Sequence, residues 1–129
     1  MKSISNRWVI LAVLFVGRVG LGFQFQTLVS VSEHLVDIFV FSYAEIGMLI
    51  GAFLLPGVVL ALPSGVAGRY VSDRLIVTTG LMFLALGGIV AVIATNFNMF
   101  GLARIICGIG FVLTTIFITK MVADWFDGK

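Results

Sequence analysis

Four stretches, at residues 8–28, 44–66, 75–95 and 99–120, are built almost wholly from apolar side chains. A bilayer core of about 30 Å is crossed by roughly 20 helical residues, so each stretch is long enough to span it. Within lipid every backbone N–H and C=O must be satisfied inside the segment, which makes the helix the form open to such a stretch. Apolar residues make up 60% of the chain and charged residues 11%. A water-soluble domain carries charge on about a quarter of its residues, so this chain cannot coat a soluble globule. Disorder is excluded too, because it requires low hydrophobicity and high charge. The expected class is an all-α membrane protein with four transmembrane helices.

The formal charge of +2 does not point to nucleic acid, because the basic residues never cluster. They follow a membrane topology instead. Lys2 and Arg7 precede span one, Arg69 and Arg74 lie between spans two and three, and Lys120 and Lys129 end or follow span four. The two intervening loops hold Glu33, His34 and Asp37, and Asn96-Phe97-Asn98, with no lysine or arginine. The positive-inside rule then places both termini of the chain in the cytoplasm. Lys2 and Arg7 before an apolar run resemble a signal peptide, but Arg18 interrupts the run and no small-x-small cleavage site follows, so the helix is retained.

Span two opens with Ser42-Tyr43-Ala44-Glu45, the pattern of a capping box. Pro63 and Gly65 are expected to mark its far end, and Pro56 to kink it. Gly47 and Gly51, four apart, predict close backbone packing, as do Gly108 and Gly110 on span four. Span three, Leu75 to Thr95, has no ionisable residue and is expected to face lipid over much of its surface. Cys107, the single cysteine, lies in an apolar run and excludes a disulfide; it reads as a small buried hydrophobe.

Two of the eight basic residues are left unexplained by topology. Arg18 falls near the middle of span one, and Arg104 about a turn and a half inside span four. An arginine at the bilayer centre costs about 2.5–3.5 kcal/mol on the insertion scale, so such a charge implies function. At 100° per residue Arg104, Gly108 and Thr115 share one face, with Thr119 nearby; Arg18, Gly22 and Phe25 share another, near the amides of Gln24 and Gln26. No carboxylate is embedded in any span, Glu45 standing at a helix start, so the expected partner of these arginines is a bound substrate anion or a carboxylate from a part of the protein beyond these spans. His34 reads as a solvated loop residue. The chain has no phosphate-binding glycine loop, no metal-spaced cluster and no nucleophile–base pairing, so neither an enzyme nor a metal or cofactor site is expected.

Several motifs resemble the N-terminal part of the major facilitator superfamily. The segment from Gly65 through Arg69, Ser72 and Asp73 to Arg74 is similar to the family's G-x-x-x-D-R-x-G-x-R/K loop after helix two. Gly65 and Arg74 match it, whereas Arg69 stands at its acidic position and Ser72 at its second glycine; a shifted register would instead align Asp73-Arg74 with the Asp-Arg pair. Arg104-Ile105-Ile106-Cys107-Gly108-Ile109-Gly110 resembles the helix-four pattern R-x-x-x-G-x-G, and Ala123-Asp124-Trp125-Phe126 the aromatic segment leading toward helix five. The run Gly20 to Gln26 and Leu62-Pro63-Ser64-Gly65 resemble the cyanate/nitroimidazole branch, and the aromatic segment anion carriers of the nitrate type.

The resemblance implies a twelve-helix fold of two six-helix halves, with helices one, two, four and five around a central cavity and helix three outside it. It implies a secondary transporter working by alternating access, in a plasma (bacterial inner) membrane, with the remaining helices and a coupling proton as partners. On that reading the chain is a fragment. A small anionic solute would meet Arg18, Arg104, Gln24, Gln26 and Thr115, while Gly65, Arg69, Asp73 and Arg74 would form the gating loop. Two alternatives stand beside it: a four-helix homodimeric exporter like the small multidrug resistance family, and a non-transporting scaffold or accessory subunit. The first conflicts with Arg18, since such exporters carry a carboxylate in helix one.

Overall fold

A computed structural model describes residues 4–127. Lys2 and Lys129, which entered the topology argument, lie outside the described residues. Five helices follow one another: α1 (Ile4–Ser30), α2 (Ser32–Phe39), α3 (Tyr43–Ala67), α4 (Asp73–Ile93) and α5 (Phe97–Asp127). Four of them, all except α2, are long and apolar enough to cross a membrane, and among the described residues there is no strand. The chain is therefore an all-α, multi-pass membrane protein.

Helix α5 is the hub, packing on α4, α3 and α1. Close approaches set the directions. Gly80 meets Thr114 and Gly87 meets Cys107, so α4 runs antiparallel to α5. Gly108 meets Phe53 and Gly57 meets Val112, so α3 runs parallel to it. Arg7 reaches Trp125, Gly17 meets Ile118 and Gln24 reaches Cys107, so α1 is antiparallel. Successive spans thus alternate in direction, as four consecutive membrane crossings must. The start of α1, the turn between α3 and α4 and the end of α5 share one end, here termed the basic end; α2 lies at the other.

Backbone proximity along these seams depends on missing Cβ atoms. A Cβ on Gly108 would run into the Phe53 carbonyl and the Pro56 ring, and one on Gly110 into the Gly80 carbonyl and Leu84. Small residues at such crossings let helices in lipid gain van der Waals contact that side chains would prevent. At Gly47 and Gly51 a Cβ would meet open space within the chain.

The capping box forms as expected. The Glu45 amide donates to Ser42 Oγ at 3.2 Å, and the Ser42 amide donates to Glu45 Oε2 at 2.8 Å. Other boundaries depart from the sequence reading. Pro63 and Gly65 do not end α3, which runs through both Pro56 and Pro63 to Ala67. In lipid a helix continues past proline more readily than it exposes further backbone, and the Ser64 hydroxyl donates to the Ala61 carbonyl at 3.0 Å. Residues 65–74 are accordingly less a loop than a short turn, with Gly65 in the last turn of α3 and Asp73 and Arg74 in the first turn of α4. Helix α4 thus takes in Asp73 and Arg74 ahead of the uncharged stretch that begins at Leu75. Helix α5 continues to Asp127, taking up Lys120 and the Ala123–Phe126 segment.

The segment holding Glu33, His34 and Asp37 is not an open loop but the amphipathic helix α2, whose Leu35, Val36 and Phe39 pack on a buried cluster of Leu28, Phe41, Ile46, Leu49, Ala94 and Phe100. Phe39, Phe41, Phe97 and Phe100 stack or meet edge to face there, with ring centroids 5.4–5.8 Å apart. This aromatic plug closes the end opposite the basic one.

Candidate functional site

Helix α5 presents Arg104, Phe111, Thr115, Thr119 and Val122 along one face by its 100° period. The neighbouring strip of Ala103, Cys107, Gly110 and Thr114 is buried, its latter three members meeting Gly80, Gly87 or Leu84 of α4. Gly108 and Val112 contact α3 on the opposite flank. The Arg104 face therefore opens between α1 and α3, away from α4.

At the upper part of this opening, toward α2, Arg104 is half-buried and lies over the Phe53 ring of α3, its guanidinium carbon 5.7 Å from the centroid. A cation over an aromatic face is held by the ring quadrupole without its charge being neutralised. Phe53 also packs on Phe111 of α5 (centroids 5.1 Å) and Phe25 of α1 (5.6 Å). Arg104 makes no ion pair and no hydrogen bond to a described residue. Every Asp and Glu stands in α2, at a helix start or in the last turns of α5. This guanidinium thus sits inside the membrane-spanning part of the chain without a counterion from it.

Arg18 occupies a different level. It lines a cavity of about 240 Å³ with Leu11, Leu14, Phe15, Ile118, Thr119 and Val122. It is exposed toward that space and, like Arg104, has no ion pair among the described residues. Ile118 and Thr119 stand 14 and 15 residues beyond Arg104 on α5. At 1.5 Å per residue the two arginines are roughly 20 Å apart along the helix axis. The structure does not bring them together.

The amides divide likewise. Gln24 turns away from the Arg18 face and donates to the Cys107 sulfur at 3.6 Å, beside the α4 seam. Gln26 is exposed, with no side-chain partner among the described residues. Thr115 lies between the arginine levels, and its Oγ1 is buried and lacks a hydrogen-bond partner. The Thr114 hydroxyl is also unpartnered, but it is held against the Gly80 backbone and faces α4. Thr119 is internally satisfied, its hydroxyl donating to the Thr115 carbonyl at 2.8 Å.

Among the residues of the α3–α4 turn, Asp73 forms an ion pair with Lys120 of α5 at 2.8 Å, tying the start of α4 to α5. Arg74 lines a cavity of about 330 Å³ with Asn6, Val9, Ile10 and Trp125, and Arg69 is exposed. The close fit in this turn falls at Gly68, where a Cβ would press on the Phe117 ring at 2.7 Å. Sequence reasoning missed Phe53 and Phe111, whose roles arise only once α3 and α5 are placed side by side. It also missed the Asp73–Lys120 pair, since partners 47 residues apart leave no local pattern. Gly80 and Gly87, seven apart on span three, were a legible signal of the α4 seam.

No curated protein and no solved structure gives a match to this chain. The family profile described as Major Facilitator Superfamily matches residues 6–129, nearly the whole chain. With its alternating spans and this match, the chain belongs to the Major Facilitator Superfamily of membrane transporters.

Proposed function

We propose that this chain contributes the anion-recognising side of a secondary transporter that moves a small anionic solute by alternating access. One observation carries the reading: Arg104 is half-buried in a membrane span, rests on Phe53 and has no carboxylate partner among the described residues. Holding an unpaired guanidinium there is costly, and a transported anion would supply the missing charge during each cycle. Arginine suits the task because its planar donors match carboxylate-like oxygens in pairs. The Phe25, Phe53 and Phe111 rings would keep the site poor in water, which strengthens the attraction. Arg18 and Thr115 would serve the same solute elsewhere along the opening.

The remaining walls of the cavity come, on this reading, from further helices of a twelve-helix fold, since α1 leaves most of its surface uncovered. The basic end faces the cytoplasm of a bacterial inner membrane, as Arg7, Arg69, Arg74 and Lys120 suggest. A coupling proton would use groups outside the middle of these spans, where no carboxylate stands. The cyanate/nitroimidazole and nitrate-type carriers remain the branches whose substrates are worth trying first. A small dimeric cation exporter is not favoured, because Arg18 and Arg104 would repel its substrate.

The test is uptake by cells carrying the complete transporter, using a panel of small anionic, neutral and cationic solutes. The reading expects anions alone to be taken up, with Arg104→Gln removing that uptake at an unchanged amount of protein in the membrane. Uptake confined to neutral or cationic solutes would overturn it.

A further inference from the structure

At the basic end the starts of α1 and α4 stand apart over the last turns of α5, and two cavities lie between them. One, of about 330 Å³, is bordered by Asn6, Arg74 and Trp125. The other, of about 210 Å³, shares Arg74 and Trp125 with it and continues over Val13 and Met121. We infer that the two form one seat for a membrane lipid with a monoanionic headgroup, of the phosphatidylglycerol kind. The first cavity holds the phosphate, and the second holds the upper part of an acyl chain. The inference does not depend on the solute reading above.

The seat lies off the proposed transport opening. By the 100° period, Met121 and Trp125 continue the strip of α5 on which Gly110 and Thr114 meet α4. The Arg104 face, by contrast, opens between α1 and α3. What the seat offers is a polar mouth above an apolar floor, the pattern of an amphiphile. The Arg74 side chain has neither an ion pair nor a hydrogen bond to a described residue, and its planar donors match phosphate oxygens in pairs. The Asn6 amide lines the same cavity. A free phosphate would use these groups and leave the apolar cavity unfilled, whereas a lipid fills both. Trp125 suits this level, because tryptophan gathers where membrane meets water.

Charge selects the headgroup. The Arg7 guanidinium donates to the Trp125 carbonyl and keeps its charge, while Asp73 is neutralised by Lys120. Asp124 borders an adjoining cavity with Ser72 and Arg74 and forms no ion pair with a described residue. Two cations, Arg7 and Arg74, against one free carboxylate leave one positive charge, the complement of a single phosphodiester. Asp124 is then placed to accept from a headgroup hydroxyl.

The closing experiment uses the complete transporter, purified in detergent and offered equal amounts of phosphatidylglycerol, phosphatidylethanolamine and phosphatidylcholine. Bound lipid is counted by native mass spectrometry. We expect phosphatidylglycerol to be retained in preference to the other two by about tenfold, and Arg74→Gln to remove that preference, the loss of one charge-assisted contact. Arg74→Lys should restore part of it, which separates lost charge from lost folding. Arg69→Gln, at the same end but outside both cavities, should change retention by less than about twofold. Equal losses in Arg69→Gln and Arg74→Gln would leave only the diffuse attraction of basic residues to an anionic leaflet and overturn the seat. Equal retention of the three lipids would overturn the headgroup assignment. Displacement of phosphatidylglycerol by inorganic phosphate would show a site for the free ion instead of a lipid. No retained lipid in wild type would show the space between α1 and α4 filled by another part of the protein, and the seat would fall.

Discussion

Val40 closes α2 in the left-handed conformation, with φ 58° and ψ 32°. A β-branched residue is strained there, and glycine is the usual occupant of such a helix end. Its side chain is exposed, so nothing is lost by removing it. Val40→Gly should therefore raise stability by about 1 kcal/mol, read as a higher unfolding temperature in detergent; a lower one would contradict the assigned backbone. Gly108 presents the opposite case. A Cβ there meets the Phe53 carbonyl, which belongs to backbone and cannot rotate aside. Gly108→Ala should cost about 1–3 kcal/mol and reduce the folded yield, whereas Gly51→Ala, facing open space, should be nearly neutral. Arg104 and Gly108 were both legible in the sequence, one as a charge in an apolar run and the other as a small residue on its face. Their partner was not, since nothing in the run around Phe53 distinguishes it from the chain's other phenylalanines until the helices are docked.

Among elements, α3 shows how far local pattern carries. Its start was readable to the residue because the Ser42–Glu45 box is a short-range device. Ser42→Ala should loosen the first turn by about 1 kcal/mol, seen as faster hydrogen exchange at the amides of Ala44, Glu45 and Ile46. Unchanged protection would mean that packing, not the cap, holds this end. Its finish was misjudged at Pro63, because the rule that proline stops helices assumes water is present to accept the freed carbonyl. The overlooked α2 had the same origin: Leu35, Val36 and Phe39 form too short an apolar face to register, and they become a helix only against the plug of Phe41 and Phe100. On α5 the apolar run alone under-measured the helix, since its last turns carry Lys120, Asp124 and Asp127 beyond the hydrophobic stretch. Thirty-one residues give a helix of about 46 Å, longer than the lipid core, so those charges reach the interface.

For the whole molecule, the number of spans and their alternation were set by hydrophobicity and the spacing of basic residues. Which helix lies at the centre was not, because the apolar faces of four buried-or-lipid-facing helices look alike in sequence; α5 takes that place with Ala103, Gly108 and Gly110 at its seams. The arrangement puts the turn at 68–72 and α2 at opposite ends. A cysteine replacing Tyr70 should be labelled by an impermeant reagent from the cytoplasmic side, and one replacing His34 from outside; the reverse pattern would invert the proposed orientation. The central claim concerns the unpaired charge that this framework holds beside Phe53. Its most direct test is the initial rate of anion uptake by the complete transporter with Arg104→Lys and Arg104→Gln at matched membrane amounts. Retained charge should preserve part of the rate in the lysine variant, while the glutamine variant should lose it by about tenfold or more. Equal rates in wild type and both variants would show that Arg104 does not hold the transported anion.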